Sequence, residues 1–262
     1  MNPHITFPRV VRSEWTKLWS LRSTWLTLAT VAVLAVGLAG AIGYGVRGSI
    51  PADGSRSAVA DAVGAAFLPM DFLTLVIGVF GVLQMSGEYG RRLVRATLTA
   101  VPRRWPVLAG KAVALVAATA PVMAVVCLAS FGVCQVLLGD RGASLNDPGV
   151  PGAIVGAAAC PVLMGLLGLG IGAMLRHTAG AITTLVLVLL VLPALLAPVL
   201  PGDRGDTVLK YVPTVAGQAM YSVQGAGAPF EMLSPGVSAA VLFGWAVLPL
   251  AGGLAVLLRR DA

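Results

Sequence analysis

Residues 149–200, GVPGAIVGAAACPVLMGLLGLGIGAMLRHTAGAITTLVLVLLVLPALLAPVL, decide the fold. Their one formally charged side chain is Arg176, and the triplet Arg176-His177-Thr178 separates two apolar blocks, 149–175 and 179–200. A helix crosses a hydrocarbon core about 30 Å thick with about 20 residues, because each residue advances 1.5 Å. Both blocks reach that length, so the stretch reads as two membrane spans joined in a tight helical hairpin.

Working outward, residues 24–46, 64–85, 112–138 and 236–258 meet the same test. The chain therefore reads as all-α: a polytopic bundle of six transmembrane helices in a single domain over residues 1–262. The bulk properties agree. Hydrophobic residues make up 57% and charged residues 11% of the 262, and the mean hydropathy is +0.89. A soluble domain carries roughly 25% charged residues. Pro69, Pro121, Pro161, Pro193 and Pro249 fall inside the blocks, which a membrane bundle tolerates when neighbouring groups take up the freed backbone. A polar, Trp-bearing segment precedes the first block, so no cleaved signal peptide is expected.

A net charge of +7 invites a nucleic-acid reading, but the basic residues flank apolar blocks, which is a membrane pattern. Of 18 Lys and Arg, only Arg47, Arg56, Arg141, Arg204 and Lys210 fall on one side of the bundle. The other side holds Arg9, Arg12, Lys17, Arg22, Arg91, Arg92, Arg95, Arg103, Arg104, Lys111, Arg176, Arg259 and Arg260. Positive residues are retained on the cytoplasmic side, which places both termini inside a cell membrane crossed several times. Trp15, Trp19, Trp25 and Trp105 sit near the same inner surface, where indole rings favour headgroup depth.

Two cytoplasmic segments stand out. Residues 8–22 place Val11, Trp15, Leu18 and Trp19 at helical spacing, as in a helix lying in the membrane surface. It is either an elbow that couples the bundle to a cytoplasmic partner or a topogenic anchor. Residues 86–105, SGEYGRRLVRATLTAVPRRW, are too long for a tight turn. Leu93, Thr97 and Ala100 suit one helical face, Glu88 suits a helix N-terminus, and Pro102 ends the segment, so a short helix parallel to the membrane is expected. The other reading is a basic loop that touches anionic lipid.

Several short motifs recur here in order: Ser13-Glu14-Trp15-Thr16-Lys17 before the first span, Gly87-Glu88-Tyr89 after the second, Arg95-Ala96-Thr97-Leu98 and Val101-Pro102-Arg103-Arg104 leading to Lys111, then Leu209-Lys210-Tyr211-Val212-Pro213 and Ala216-Gly217-Gln218. In these the chain resembles the permease subunits of ABC transporters of the type-2 exporter membrane family, particularly small actinobacterial ones, over nearly its whole length. The resemblance implies a separate ABC ATPase subunit that binds the ATP, a second permease chain as homo- or heterodimer, and no enzymatic site or cofactor in this chain. It implies coupling to the ATPase through Trp15, Lys17, Glu88, Tyr89, Arg92, Leu93, Arg95 and Leu98, although the family often has Gly-Thr where this chain has Arg92-Leu93. Because the apolar blocks hold almost no charge, a hydrophobic or amphiphilic cargo is expected rather than a small ion. The alternative class is a multi-pass membrane protein that needs no ATPase, such as a secondary transporter or a sensory or scaffold subunit.

Other apparent motifs fail on context. Gly43-Tyr44-Gly45-Val46-Arg47-Gly48 matches GxGxxG but lies at the end of a span, and Gly110-Lys111 lacks the rest of a P-loop. Only His4 and His177 are histidines, which leaves metal chemistry unsupported, and Cys127, Cys134 and Cys160 read as small core residues. Gly152–Gly156 and Gly168–Gly172 have the spacing that lets helix backbones approach, and packing within the chain is favoured over a dimer contact. Asp71 is either a polar point on the transport path or a residue at the outer headgroups of a span that starts near Pro69. The portion 211–221 is an extracellular helix or a re-entrant piece.

Overall fold

The computed structural model describes residues 6–90, 105–199, 207–223 and 232–259; among them the chain is helical, with no strand. Amphipathic helix α1 (Phe7–Ser20) has a proline in its first turn and ends where Leu21 turns extended, at φ −87° and ψ 122°. Helix α2 (Arg22–Val46) follows directly. Then come α3 (Arg56–Phe67), α4 (Met70–Gly90), α5 (Trp105–Leu138), α6 (Val150–Leu175), α7 (Thr178–Val186), α8 (Leu192–Val199), α9 (Pro213–Tyr221) and α10 (Pro235–Arg259). Six helical stretches are long and apolar enough to cross a membrane: Arg22–Val46, Arg56–Tyr89, Trp105–Arg141, Val150–Leu175, Thr178–Leu196 and Pro235–Leu258.

The hairpin expected at Arg176-His177-Thr178 is present. Arg176 takes the left-handed conformation at φ +53° and caps α6, its N–H donating to the Gly172 carbonyl at 3.1 Å. His177 is extended and its Nδ1 accepts from the Gly180 N–H at 3.1 Å, which caps the start of α7. One of the chain's two histidines is thus explained by helix capping.

Three boundaries differ from the sequence reading. The second span was expected over 64–85, but the helix begins at Arg56, breaks at Leu68-Pro69 and resumes as α4, because proline cannot continue the α3 hydrogen-bond ladder. The third was expected to start at residue 112 and starts at Trp105, since Pro106 in the first turn is compatible with a helix start. Glu88, expected near the N-terminus of a new helix, lies in the last turn of α4. A carboxylate there opposes the helix dipole, so its position needs partners from elsewhere.

Helix α6 is the hub and the most buried of the spans. Glycines allow its backbone to touch its neighbours. A Cβ at Gly168 would fall 2.0 Å from the Gly78 carbonyl oxygen, and one at Gly81 2.0 Å from that of Gly165, so α4 and α6 meet backbone to backbone. Gly156 packs in the same way against the Met220 carbonyl of α9, and Gly170 against Leu250 of α10. These glycines serve packing within the chain, as expected for Gly156, Gly168 and Gly172; a Cβ at Gly152 would meet open space. The three cysteines are buried and unpaired.

Between α7 and α8 the helix widens into a π turn, Leu187–Val191. Pro193 has no N–H for the Leu189 carbonyl four residues earlier, and the Thr214 hydroxyl of α9 donates to that carbonyl at 2.6 Å. Trp245 of α10 donates through Nε1 to the Tyr211 carbonyl at 2.8 Å. Most of the portion 211–221 is therefore the short helix α9, Pro213–Tyr221, with most of its residues buried, wedged against α6, α10 and the π turn.

Candidate functional site

The buried face of α1 carries Val10, Glu14 and Leu18, residues at i, i+4 and i+8. Sequence periodicity had placed Val11, Trp15, Leu18 and Trp19 together; the packed stripe is instead rotated by about one residue, and Trp15 stays exposed. The reason is electrostatic. Glu14 is 4% exposed and points at Lys111 of α5, whose Nζ donates to Glu14 Oε2 at 2.7 Å and to Glu88 Oε1 at 2.7 Å. Lys17 closes the set, donating to Glu14 Oε1 at 2.7 Å and Glu88 Oε1 at 3.3 Å.

Two carboxylates and two ammonium groups therefore join α1, the end of α4 and the start of α5. Burial pushes the Glu14 pKa up, but Lys111 and Lys17 outweigh it, so the carboxyl is held below its usual value. Burial likewise pushes Lys17 down, and Glu14 and Glu88 outweigh it, so its amine is held above its usual value. Both groups stay charged at neutral pH. The lysines also answer the dipole conflict at Glu88, because they place positive charge at the C-terminal end of α4.

Aromatic contacts fix the surrounding frame. Trp15, Trp19 and Trp25 form a chain with ring centroids 5.2 and 4.3 Å apart, which spans the break between α1 and α2. Phe7 stacks on Trp105 at 5.9 Å, linking the start of α1 to the start of α5. The Arg176 guanidinium lies 5.3 Å from the Tyr89 ring centroid, and its Nη2 donates to the Val256 carbonyl at 3.0 Å. The α6–α7 hairpin and α10 are thereby attached to the same end of the bundle.

Of the residues expected to form a coupling surface, Lys17, Glu88 and Tyr89 converge here with Trp15 beside them. Arg92, Leu93, Arg95 and Leu98 lie outside the described residues. Sequence reasoning left Glu14 and Lys111 out of the candidate set. The available signal was composition: Lys111, followed by an unbroken apolar block, has no local counter-charge, so a partner from elsewhere in the chain was to be expected.

About 26 Å along α4 from Glu88, at 1.5 Å per residue, is a second polar point. Asp71 occupies the first turn of α4, where a carboxylate suits the helix dipole. It accepts from Gln218 Nε2 at 3.1 Å and from the Tyr221 hydroxyl, both on α9. Asp71 thus has defined partners, two residues after Pro69. Gln218 and Tyr221 were not singled out from the sequence as its partners, since about 150 positions separate them from it. Among the described residues no group of three His, Cys, Asp or Glu side chains gathers as a metal-ligand set.

No protein-family model matches the chain, and no curated protein sequence is significantly similar to it.

Proposed function

We propose that this chain is the permease subunit of an ABC exporter, working with a separate ATPase subunit and a second permease chain. One observation supports the reading above the others: the four-residue ion cluster makes α1, the α4 terminus and the α5 start a single unit. Residues 91–104 leave from that unit. A push delivered there moves two spans and a surface helix together, which is what conversion of nucleotide-driven motion into helix shifts requires.

In this reading α1 lies in the cytoplasmic membrane surface, residues 88–98 meet the ATPase, and both termini are cytoplasmic. The cargo is hydrophobic or amphiphilic, since the spans bury little charge. Asp71 acts as a latch that keeps α9 seated against the outer end of the bundle and releases as the spans shift. Cargo affinity then differs between inward-open and outward-open states.

A photoreactive benzoylphenylalanine in place of Trp15, irradiated in native membranes, tests this directly. The expected result is a crosslink to a polypeptide that mass spectrometry identifies as an ABC ATPase, with none from the same probe in place of Tyr44 at the far end of α2. A crosslink to the ATPase from position 44 alone would reject the proposed orientation, and ATPase capture from neither position would favour an ATPase-independent membrane protein.

A further inference from the structure

Beside the ion cluster, between the α1–α2 break and the adjoining ends of α4 and α5, lies a cavity of about 410 Å³. Its chemistry is graded. On α4, Glu88, Gln84 and Phe80 follow one another at i+4 spacing and share one face, which passes from carboxylate to amide to aromatic over about 12 Å. Leu21 and Leu83 complete the apolar part, and Lys17, 44% exposed, stands at the charged part.

The charged part of the cavity is neutral in sum: Glu14 and Glu88 balance Lys17 and Lys111. A purely anionic or cationic head would leave a net charge beside the buried Glu14 and Lys111, which low-dielectric surroundings penalise. A zwitterionic head leaves none, because its anion adds to the exposed amine of Lys17 while its cation adds to Glu88. The three contacting tryptophans, Trp15, Trp19 and Trp25, set this end of the bundle at headgroup depth.

We propose that the cavity is a binding site for a zwitterionic phospholipid of the surrounding leaflet: phosphate on Lys17, primary ammonium on Glu88, and an acyl chain along Phe80 and Leu83. The inference stands on the membrane-spanning fold and does not need the exporter reading.

The test is photolabelling of the full chain in a mild non-ionic detergent by a diazirine-bearing phosphatidylethanolamine, with peptide mapping. Label concentrates on the α2 and α4 peptides that contain Thr27 and Leu83, and filling the cavity with Leu83→Trp lowers it about tenfold, whereas Val33→Trp on the open face of α2 leaves it unchanged. Unlabelled phosphatidylethanolamine competes about tenfold better than phosphatidylglycerol on the unmodified protein, a comparison that requires no variant to fold. Equal competition by the two lipids, or label that Leu83→Trp does not reduce in a folded protein, overturns the proposal.

Discussion

Lys111 and Lys17 touch the same two carboxylates, yet they should differ greatly in what their loss does. Lys111 is 5% exposed, and removing it leaves Glu14 buried beside a single lysine. Breaking such a pair costs about 3–5 kcal/mol. Lys17 is 44% exposed and its pairs are screened by water, so its loss costs under about 1 kcal/mol. Thermal unfolding of Lys111→Met and Lys17→Met in one detergent checks the contrast; equal destabilisation would mean that burial does not govern the cluster. The pH dependence follows from the directions of the shifts. Glu14 is held below its ordinary 4.5, so its contribution is complete above that value and is lost as pH falls through the lowered one. Lys17 is held above its ordinary 10.5, so its contribution is complete below that value and is lost as pH rises through the raised one. Docking of α1, read from the fluorescence of its tryptophans, should therefore stay flat between these limits and loosen beyond each. A step near pH 7 would contradict the assignment.

At the scale of the helices, close backbone contact is what holds α4 to α6. Gly168→Leu places side-chain atoms where the Gly78 carbonyl stands and must force the pair apart. Overpacking of this kind costs about 1–3 kcal/mol or more. The same change at Gly152, where a Cβ meets nothing, should have little effect. Thermal stability of the two variants in matched nanodiscs decides this, and equal loss at both positions would show that the contact is not specific. The existence of the helices was legible because each block is long and uniformly apolar. Their ends were less legible. Leu68-Pro69 looked like the interior of a block although it separates α3 from α4, and Pro106 concealed a helix start seven residues before the expected one. The π turn could not be read from composition, since it depends on Thr214 arriving from another part of the chain to satisfy a carbonyl that Pro193 leaves free.

On the scale of the whole molecule, a polar point stands at each end of α4. Each was half visible. Lys17 and Glu88 on one side and Asp71 on the other stood out as charges beside or inside apolar blocks, but their partners Glu14, Lys111, Gln218 and Tyr221 were not among the residues singled out for those sites. Polar contacts that close over 97 or 150 positions leave no periodic signal in a single sequence. What links the points is α4 itself, held against the α6 hub by the glycine contacts. On the proposed account an ATPase acts at the Glu88 end, and α9 responds at the Asp71 end. The most direct test is affinity purification of the tagged chain from its native membranes in mild detergent, with mass spectrometry of what co-elutes, repeated with Glu88→Ala. The account expects a roughly equimolar ABC ATPase subunit that is lost or strongly depleted in the variant. A folded chain that purifies without any ATPase, under conditions that preserve known membrane complexes, would contradict it.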